Sequence, residues 1–332
     1  MLKVTSSGAD NVGMKNPWCV LALTIGVLSS ACSAEFRPKP VRLPAGAAPA
    51  SLRIQLSPRG PVRRVALEEY VQATILSEFA PAAGDPAQVE RMLEVQAVIA
   101  RSYAVAHHSR HNAEGFDLCS TTHCQIYEPS RLRTSRWAPQ AAEAVRQTTG
   151  MVLWYQTSAA RALFHADCGG HVSAVADVWA GMPRPYLKAA PDDGLEASVH
   201  TTWRYEVDRR ALAAALNRDA RTRIGKDLRE IAIAQRDEAG RAALVILRGS
   251  RESVVKGEEL RTVLTGAFGP KAIRSTRFEV ARQGSRFVFT GRGFGHGVGL
   301  CQAGAYARLR GGASPEQVLA RYYPGTRLVV VP

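Results

Sequence analysis

Gly291-Arg292-Gly293-Phe294-Gly295-His296-Gly297-Val298-Gly299-Leu300-Cys301-Gln302-Ala303-Gly304-Ala305 carries glycine at every second position from 291 to 299. Ordering such a run is costly, because glycine loses more backbone freedom on folding than any other residue. It makes sense where side chains would obstruct, so that backbone, or a ligand lying on backbone, can come close. One imidazole, His296, stands in the middle, and Cys301 and Gln302 end the run before a helix-like stretch to about residue 309. Two readings stay open. The run is a strand and turn packed on a neighbour, with His296 a satisfied structural histidine, or it is a binding surface. A dinucleotide fingerprint is excluded, since the frame from Gly291 needs glycine where His296 stands. A P-loop is excluded because no Gly-Lys-Ser/Thr follows.

Working outward, Gly311-Gly312 ends that helix, and Ser314-Pro315-Glu316-Gln317 reads as a capping box with proline at the first helical position. A closing strand is expected over residues 328–331. Towards the N-terminus, residues 200–290 alternate strand-like and helical pieces with few catalytic side chains, and read as scaffold. Before them come strands at 151–155 and 162–165. These lead to a second glycine patch, Asp167-Cys168-Gly169-Gly170-His171.

The front of the chain carries the chemistry. Residues 51–56 alternate as a strand. Residues 65–79 read as a helix whose apolar stripe is Leu67, Tyr70, Val71, Thr74 and Ile75. At about 100° per residue, Glu78 falls about 20° from Leu67, inside that stripe. A carboxyl placed inward is raised in pKa by desolvation, which suits a general acid. The alternative is a solvated Glu78 at a helix end marked by Pro81. Residues 86–108 read as a longer helix with Val89, Leu93, Ala97, Ala100 and Ala104 on one face, Gln96 among them and Arg101 beside it. Facing the first helix, Gln96 and Arg101 would line a polar pocket; otherwise they bond core backbone. His111, Cys119, His123 and Cys124 offer two nitrogens and two sulfurs, a set a tetrahedral zinc accepts. A Cys119–Cys124 disulfide competes with that reading.

The net charge of +14 calls for an anionic partner. Nucleic acid is set aside, because no nucleic-acid motif accompanies the charge; an anionic cell envelope fits better. Residues 1–34 read as an export signal, with a basic start at Met14-Lys15, an apolar run from Val20 to Val27 and small residues to Ala34. That run is short for a bilayer span. Cys32 after Ser-Ser-Ala resembles a bacterial lipoprotein cleavage box, so membrane contact is expected only through a lipid on Cys32. Residues 35–50, with four prolines, read as a tether, and residues 51–332 as one domain. In an oxidising compartment the four remaining cysteines suggest disulfides, in any of three connectivities. No His-Glu-x-x-His helix or Gly-x-Ser-x-Gly elbow is present, which argues against a zinc or serine hydrolase.

Three blocks taken together resemble the SpoIID/LytB domain family. They are Leu67-Glu68-Glu69-Tyr70 through Ser77-Glu78-Phe79, with Gln96-Ala97 and Arg101-Ser102-Tyr103; then Thr121-Thr122 with Cys124-Gln125-Ile126-Tyr127; then 291–305 with Tyr322-Tyr323-Pro324-Gly325. Phe79 stands where methionine is common. The resemblance implies an α+β fold in which the two N-terminal helices form a cleft against the glycine-rich C-terminal segments. It implies a bacterial cell-wall protein: a lytic transglycosylase acting on peptide-stripped glycan strands, or an enhancer of an amidase. It places the family's catalytic glutamate on Glu78. Gln96, Arg101, Gln125, Tyr127, His165, Gly169, Gly170, His296 and Gln302 become candidates for holding sugar or steadying Glu78. Some relatives bind zinc in the region of His111 to Cys124, with slightly different spacing; no other cofactor is implied. Cys168 and Cys301 sit in the two glycine-rich blocks, which makes a disulfide across the cleft an expectation.

Overall fold

In the computed structural model, residues 41–332 are described, apart from 180, 182 and 195–199. The export signal and Cys32 lie outside the described residues. Among the described residues no helix is long and apolar enough to cross a membrane.

The fold is α+β, and it is assembled around one helix. Helix α1 (Leu67–Glu78) is followed by α2 (Pro86–Ala106), which opens on an Asp85 cap with proline in its first turn. At 21 residues α2 spans ~32 Å. The expected face of Val89, Leu93, Ala97, Ala100 and Ala104 packs on α1, strand Ser51–Gln55 and helix Ala138–Gln147. A second face, Met92, Val95, Val98 and Ile99, packs on strand Met151–Tyr155 and the C-terminal helices Gln302–Arg310 and Pro315–Tyr322. The single-stripe reading missed this. A helix buried on both sides has no polar face to set a period. Each fully buried leucine or isoleucine here is worth roughly 1.5–3 kcal/mol over its exposed state.

Strand Val62–Ala66 pairs antiparallel with Ser51–Gln55 and runs straight into α1. It reads Val-Arg-Arg-Val-Ala, mostly exposed, so no apolar alternation announces it. The expected tether is partly built in: Val41–Arg42 pairs parallel with Val329 and Val330, and the Leu67 N–H bonds the Ala50 carbonyl. Strand Arg327–Val330 lies between that short strand and Met151–Tyr155. Ser314 and Gln317 form the expected capping box.

The scaffold reading of 200–290 corresponds to a lobe with its own core. It holds two three-stranded antiparallel sheets with helices Arg209–Asn217 and Gly257–Phe268. Strand Arg286–Arg292 delivers the glycine run out of this lobe. The run then pairs parallel with Phe164–His165 through Leu300–Cys301 and starts the next helix.

Candidate active site and metal centre

Glu78 is the last residue of α1, half-buried between the helix end and the segment after Cys124. Its Oε1 accepts the Ile126 N–H at 2.7 Å, and the Glu128 N–H bonds Ser77 Oγ at 3.2 Å, so that segment is tied to α1 at two points. The Glu78 carbonyl accepts from Gln302 Nε2 at 3.2 Å, which joins the end of the glycine run to α1. Burial pushes the Glu78 carboxyl up to about 7, and the Ile126 N–H pulls against it. A helix C-terminus, with its unpaired carbonyls, is a poor place for negative charge and works in the same direction as burial. Among the described residues no cationic side chain pairs with Glu78.

Beneath it, the Tyr70 hydroxyl donates to Gln125 Oε1 at 3.0 Å, and Tyr70 stacks on Tyr127 with ring centres 5.5 Å apart. All three are buried. Gln96 Nε2, Gln125 Nε2 and the Tyr127 hydroxyl are buried with no partner, an unusual cost for a settled core.

Cys124 joins this site to the four-residue cluster. The donor atoms of His111, Cys119, His123 and Cys124 all lie within 4.8 Å of one another. Cys124 Sγ is 3.4 Å from His111 Nε2, and His123 Nδ1 is 3.7 Å from each sulfur. Zinc bonds of ~2.05 Å to nitrogen and ~2.3 Å to sulfur at tetrahedral angles put nitrogen and sulfur roughly 3.6 Å apart, so the donor set fits zinc. His111 Nδ1 bonds Glu114 Oε1 at 2.6 Å, leaving Nε2 to face the sulfurs, an arrangement common for ligating histidines. The Arg110 guanidinium lies 3.1 Å from His123 Nε2. A His123 ligating through Nδ1 would carry its proton on Nε2, leaving Arg110 its bonds to the Tyr103 hydroxyl and the His123 carbonyl. Both cysteines are free thiols in this structure. The hydrogen bond they share lowers the Cys119 pKa and raises that of Cys124.

Arg101 stands elsewhere. It is fully buried at the start of α1, where Nε donates to Glu68 Oε1 at 2.8 Å and Nη1 to the Met151 carbonyl at 3.0 Å. This is the core-bonding alternative: the charge is consumed holding α1 to α2. His165 and His296 form a separate group, with ring centres 5.5 Å apart and Trp179 4.9 Å from His296. His165 Nδ1 donates to the Val298 carbonyl, its Nε2 is buried without a partner, and His296 Nδ1 accepts the Val298 N–H. Burial, with nearby Arg261 and Arg241, lowers His296 to about 3; burial lowers His165 as well. Both are neutral at neutral pH.

The glycine runs turn out to be filled by the protein's own neighbours. A Cβ on Gly299, at φ 71°, would lie 2.0 Å from the Leu163 carbonyl oxygen; one on Gly297 would strike the buried Arg241 guanidinium. Gly169 is tight against Arg292 at 3.2 Å, whereas Gly170 meets His200 and Arg277 only at ordinary contact distance, its backbone left-handed at φ 105°. Cys168 and Cys301 are both buried free thiols, joined by a Cys168 N–H to Cys301 Sγ bond of 3.2 Å.

The structure therefore brings Glu78, Gln125 and Gln302 together, and it groups His165 with His296. Sequence reasoning missed the Ile126 N–H, Glu68 and Trp179. A backbone donor leaves no trace in residue type. Glu68 was visible as a first-turn carboxylate that needed a cation, and Trp179 as a large aromatic two positions before Gly181.

A family model described as SpoIID, stage II sporulation protein, matches residues 58–155, and a domain of unknown function (DUF8618) matches residues 194–299. The chain is 25% identical over 295 residues to the stage II sporulation protein D of Bacillus subtilis (strain 168), covering 85% of this chain and 80% of that one. It is 27% identical over 269 residues to an uncharacterized protein of Brachyspira hyodysenteriae, covering 81% of this chain and 68% of that one. It is 27% identical over 280 residues to the amidase enhancer of Bacillus subtilis, covering 71% of this chain and 37% of that longer protein.

Proposed function

With the chain a member of the SpoIID/LytB domain family, we propose that it is a peptidoglycan lytic transglycosylase in which Glu78 is both the acid and the base. Protonated Glu78 gives its proton to the glycosidic oxygen between N-acetylmuramic acid and N-acetylglucosamine, and the C1–O bond breaks. The resulting carboxylate takes the proton from the muramic C6 hydroxyl as that oxygen bonds C1, leaving a 1,6-anhydro end. No water is consumed, so one carboxyl serves where ordinary glycosidases use two. The observation that carries the reading is Glu78 itself: a half-buried carboxyl held near 7, with no cation paired to it among the described residues and one oxygen fixed by the Ile126 N–H. The fixed Oε1 leaves Oε2 to carry the proton.

The substrate lies in a cleft between the two N-terminal helices and the C-terminal segments, on peptide-stripped strands. Gln125, Gln302 and the neutral pair His165 and His296 steady the sugar or Glu78. A zinc ion at His111, Cys119, His123 and Cys124 would cross-link the segment that presents the Ile126 N–H; four protein ligands leave it no open position for substrate. The protein acts outside the cytoplasm, delivered by residues 1–34 and tethered by a lipid on Cys32. Its net charge holds it to the anionic envelope.

The amidase enhancer's similarity supports a second reading, a glycan-binding module that stimulates a cell-wall amidase. Mass spectrometry of peptidoglycan, intact and amidase-stripped, after incubation with wild type and Glu78→Gln separates the two. Anhydro-muramic products from wild type alone support the enzyme. Their absence with both proteins, together with capture of an amidase, supports the module. Undiminished cleavage by Glu78→Gln would remove that residue from the mechanism.

A further inference from the structure

A concavity of about 350 Å³ opens where the lobe of residues 202–292 meets the two glycine patches. Arg236, Arg277 and Arg292 line it, with Glu279, Thr290 and the bare backbone of Gly291. Arg236 is occupied by Glu279, which is largely exposed, and by the Phe278 carbonyl. Among the described residues, the other two guanidinium groups have no carboxylate within ion-pair distance. Arg277 bonds only the Gly169 carbonyl, and the Arg292 side chain makes no hydrogen bond or ion pair among the described residues. Asp237, an acid that acts on Arg277 from a distance, is taken up by the Ser173 hydroxyl at 2.6 Å and the Arg241 N–H at 2.8 Å. Burial first, and then the Arg292 charge, press the Arg277 pKa down, with Cys168 and Asp237 acting against them. Arg248, in the neighbouring sheet of the same lobe, is by contrast neutralised by Glu230 and Glu252.

We propose that this concavity binds the lactyl carboxylate of N-acetylmuramic acid, a group that exists only where the stem peptide has been removed. The inference rests on the glycan reading above and supplies its selectivity. An arginine fork matches a planar carboxylate in two parallel hydrogen bonds, and a half-desolvated pair of such forks gains most from an anion. Thr290 adds a hydroxyl to the same wall. The site is also connected to Glu78 through the fold. Arg277 holds Gly169, Cys168 bonds Cys301, and the neighbouring Gln302 bonds the Glu78 carbonyl. With the lactyl amide intact, the same position presents a neutral group and a peptide in place of a charge.

The test measures binding of wild type, Arg292→Ala and Arg292→Glu to three probes: intact glycan, amidase-stripped glycan, and stripped glycan whose carboxylates are converted to methylamides. Arg292 is half-exposed and makes no side-chain bond, so both variants keep the fold; Arg277, which holds Gly169, is left alone. Wild type is expected to prefer stripped over methylamidated strands by on the order of tenfold. Arg292→Ala should lose most of that preference, and Arg292→Glu all of it. Equal binding of the two stripped probes by wild type, or an unchanged preference in both variants, overturns the proposal. So does stronger competition by a phosphodiester wall polymer than by stripped glycan, which would assign the pocket to phosphate. The readout is binding, so it stands apart from scission. Loss of cleavage in every sample sinks the transglycosylase reading and leaves this comparison intact, whereas cleavage with no carboxylate preference sinks only the pocket.

Discussion

Glu78 is set by two opposed local effects: burial at a helix C-terminus raises its pKa, and one backbone N–H lowers it. The balance, about 7 against an ordinary ~4.3, has a definite sign. A carboxyl raised on folding favours the folded state below its unfolded pKa, and that contribution is lost as pH rises through about 7. Wild type should therefore lose stability relative to Glu78→Gln between pH 5 and pH 8. The upper bound is roughly 3 kcal/mol, less for solvent reaching a half-buried group. Denaturant melts of both proteins at several pH values check this, and parallel curves would sink it. On the proposed mechanism kcat/KM falls above pH 7 in step, because the group must enter the reaction protonated. At Gly299 the opposite kind of residue constraint holds: the left-handed backbone and a carbonyl oxygen pressed against Cα leave no room for any side chain.

Among the elements, the segment from Cys119 to Glu128 has almost no regular structure and depends on its ends. Its one donor to Glu78 follows two residues after a metal-type ligand. Chelation, or Cys124→Ser, is expected to lower Tm by roughly 5–10 °C and to speed hydrogen exchange at the Ile126 amide. Elemental analysis and calorimetry decide this; a metal-free protein carrying a Cys119–Cys124 disulfide by peptide mapping would overturn the zinc reading. This segment also shows where sequence reading succeeds and stops. The inward Glu78 follows from helical phase, and the two-nitrogen, two-sulfur set from residue types alone. The exposed strand Val62–Ala66 carries no alternation, and α2, buried on two faces, shows no period to say that it serves two cores. The alternating glycines were legible as a demand for close approach. What approaches was not, because Leu163, Arg241 and Asp167 meet them from distant parts of the chain.

Across the whole molecule, Cys168 and Cys301 stand 133 positions apart in sequence and touch. In an oxidising compartment a disulfide oxidant can take two electrons as both thiols lose their protons and the sulfurs bond. Closing so long a loop stabilises by roughly 4–5 kcal/mol on the chain-entropy argument. Non-reducing peptide mapping of protein secreted by an oxidising host should show the linked pair, and reductant should lower its Tm; two free thiols in that material would refute the cross-link. A different consequence follows from the strand Arg327–Val330, which inserts between a strand from the start of the described body and one from its middle. Synthesis runs from N- to C-terminus, so that sheet lacks this inner strand until residues 327–330 have left the ribosome. Gln302 reaches the Glu78 carbonyl only after 223 intervening residues have been made. A nascent chain thus holds an open seam and an unfinished carboxyl site until these late segments have been made.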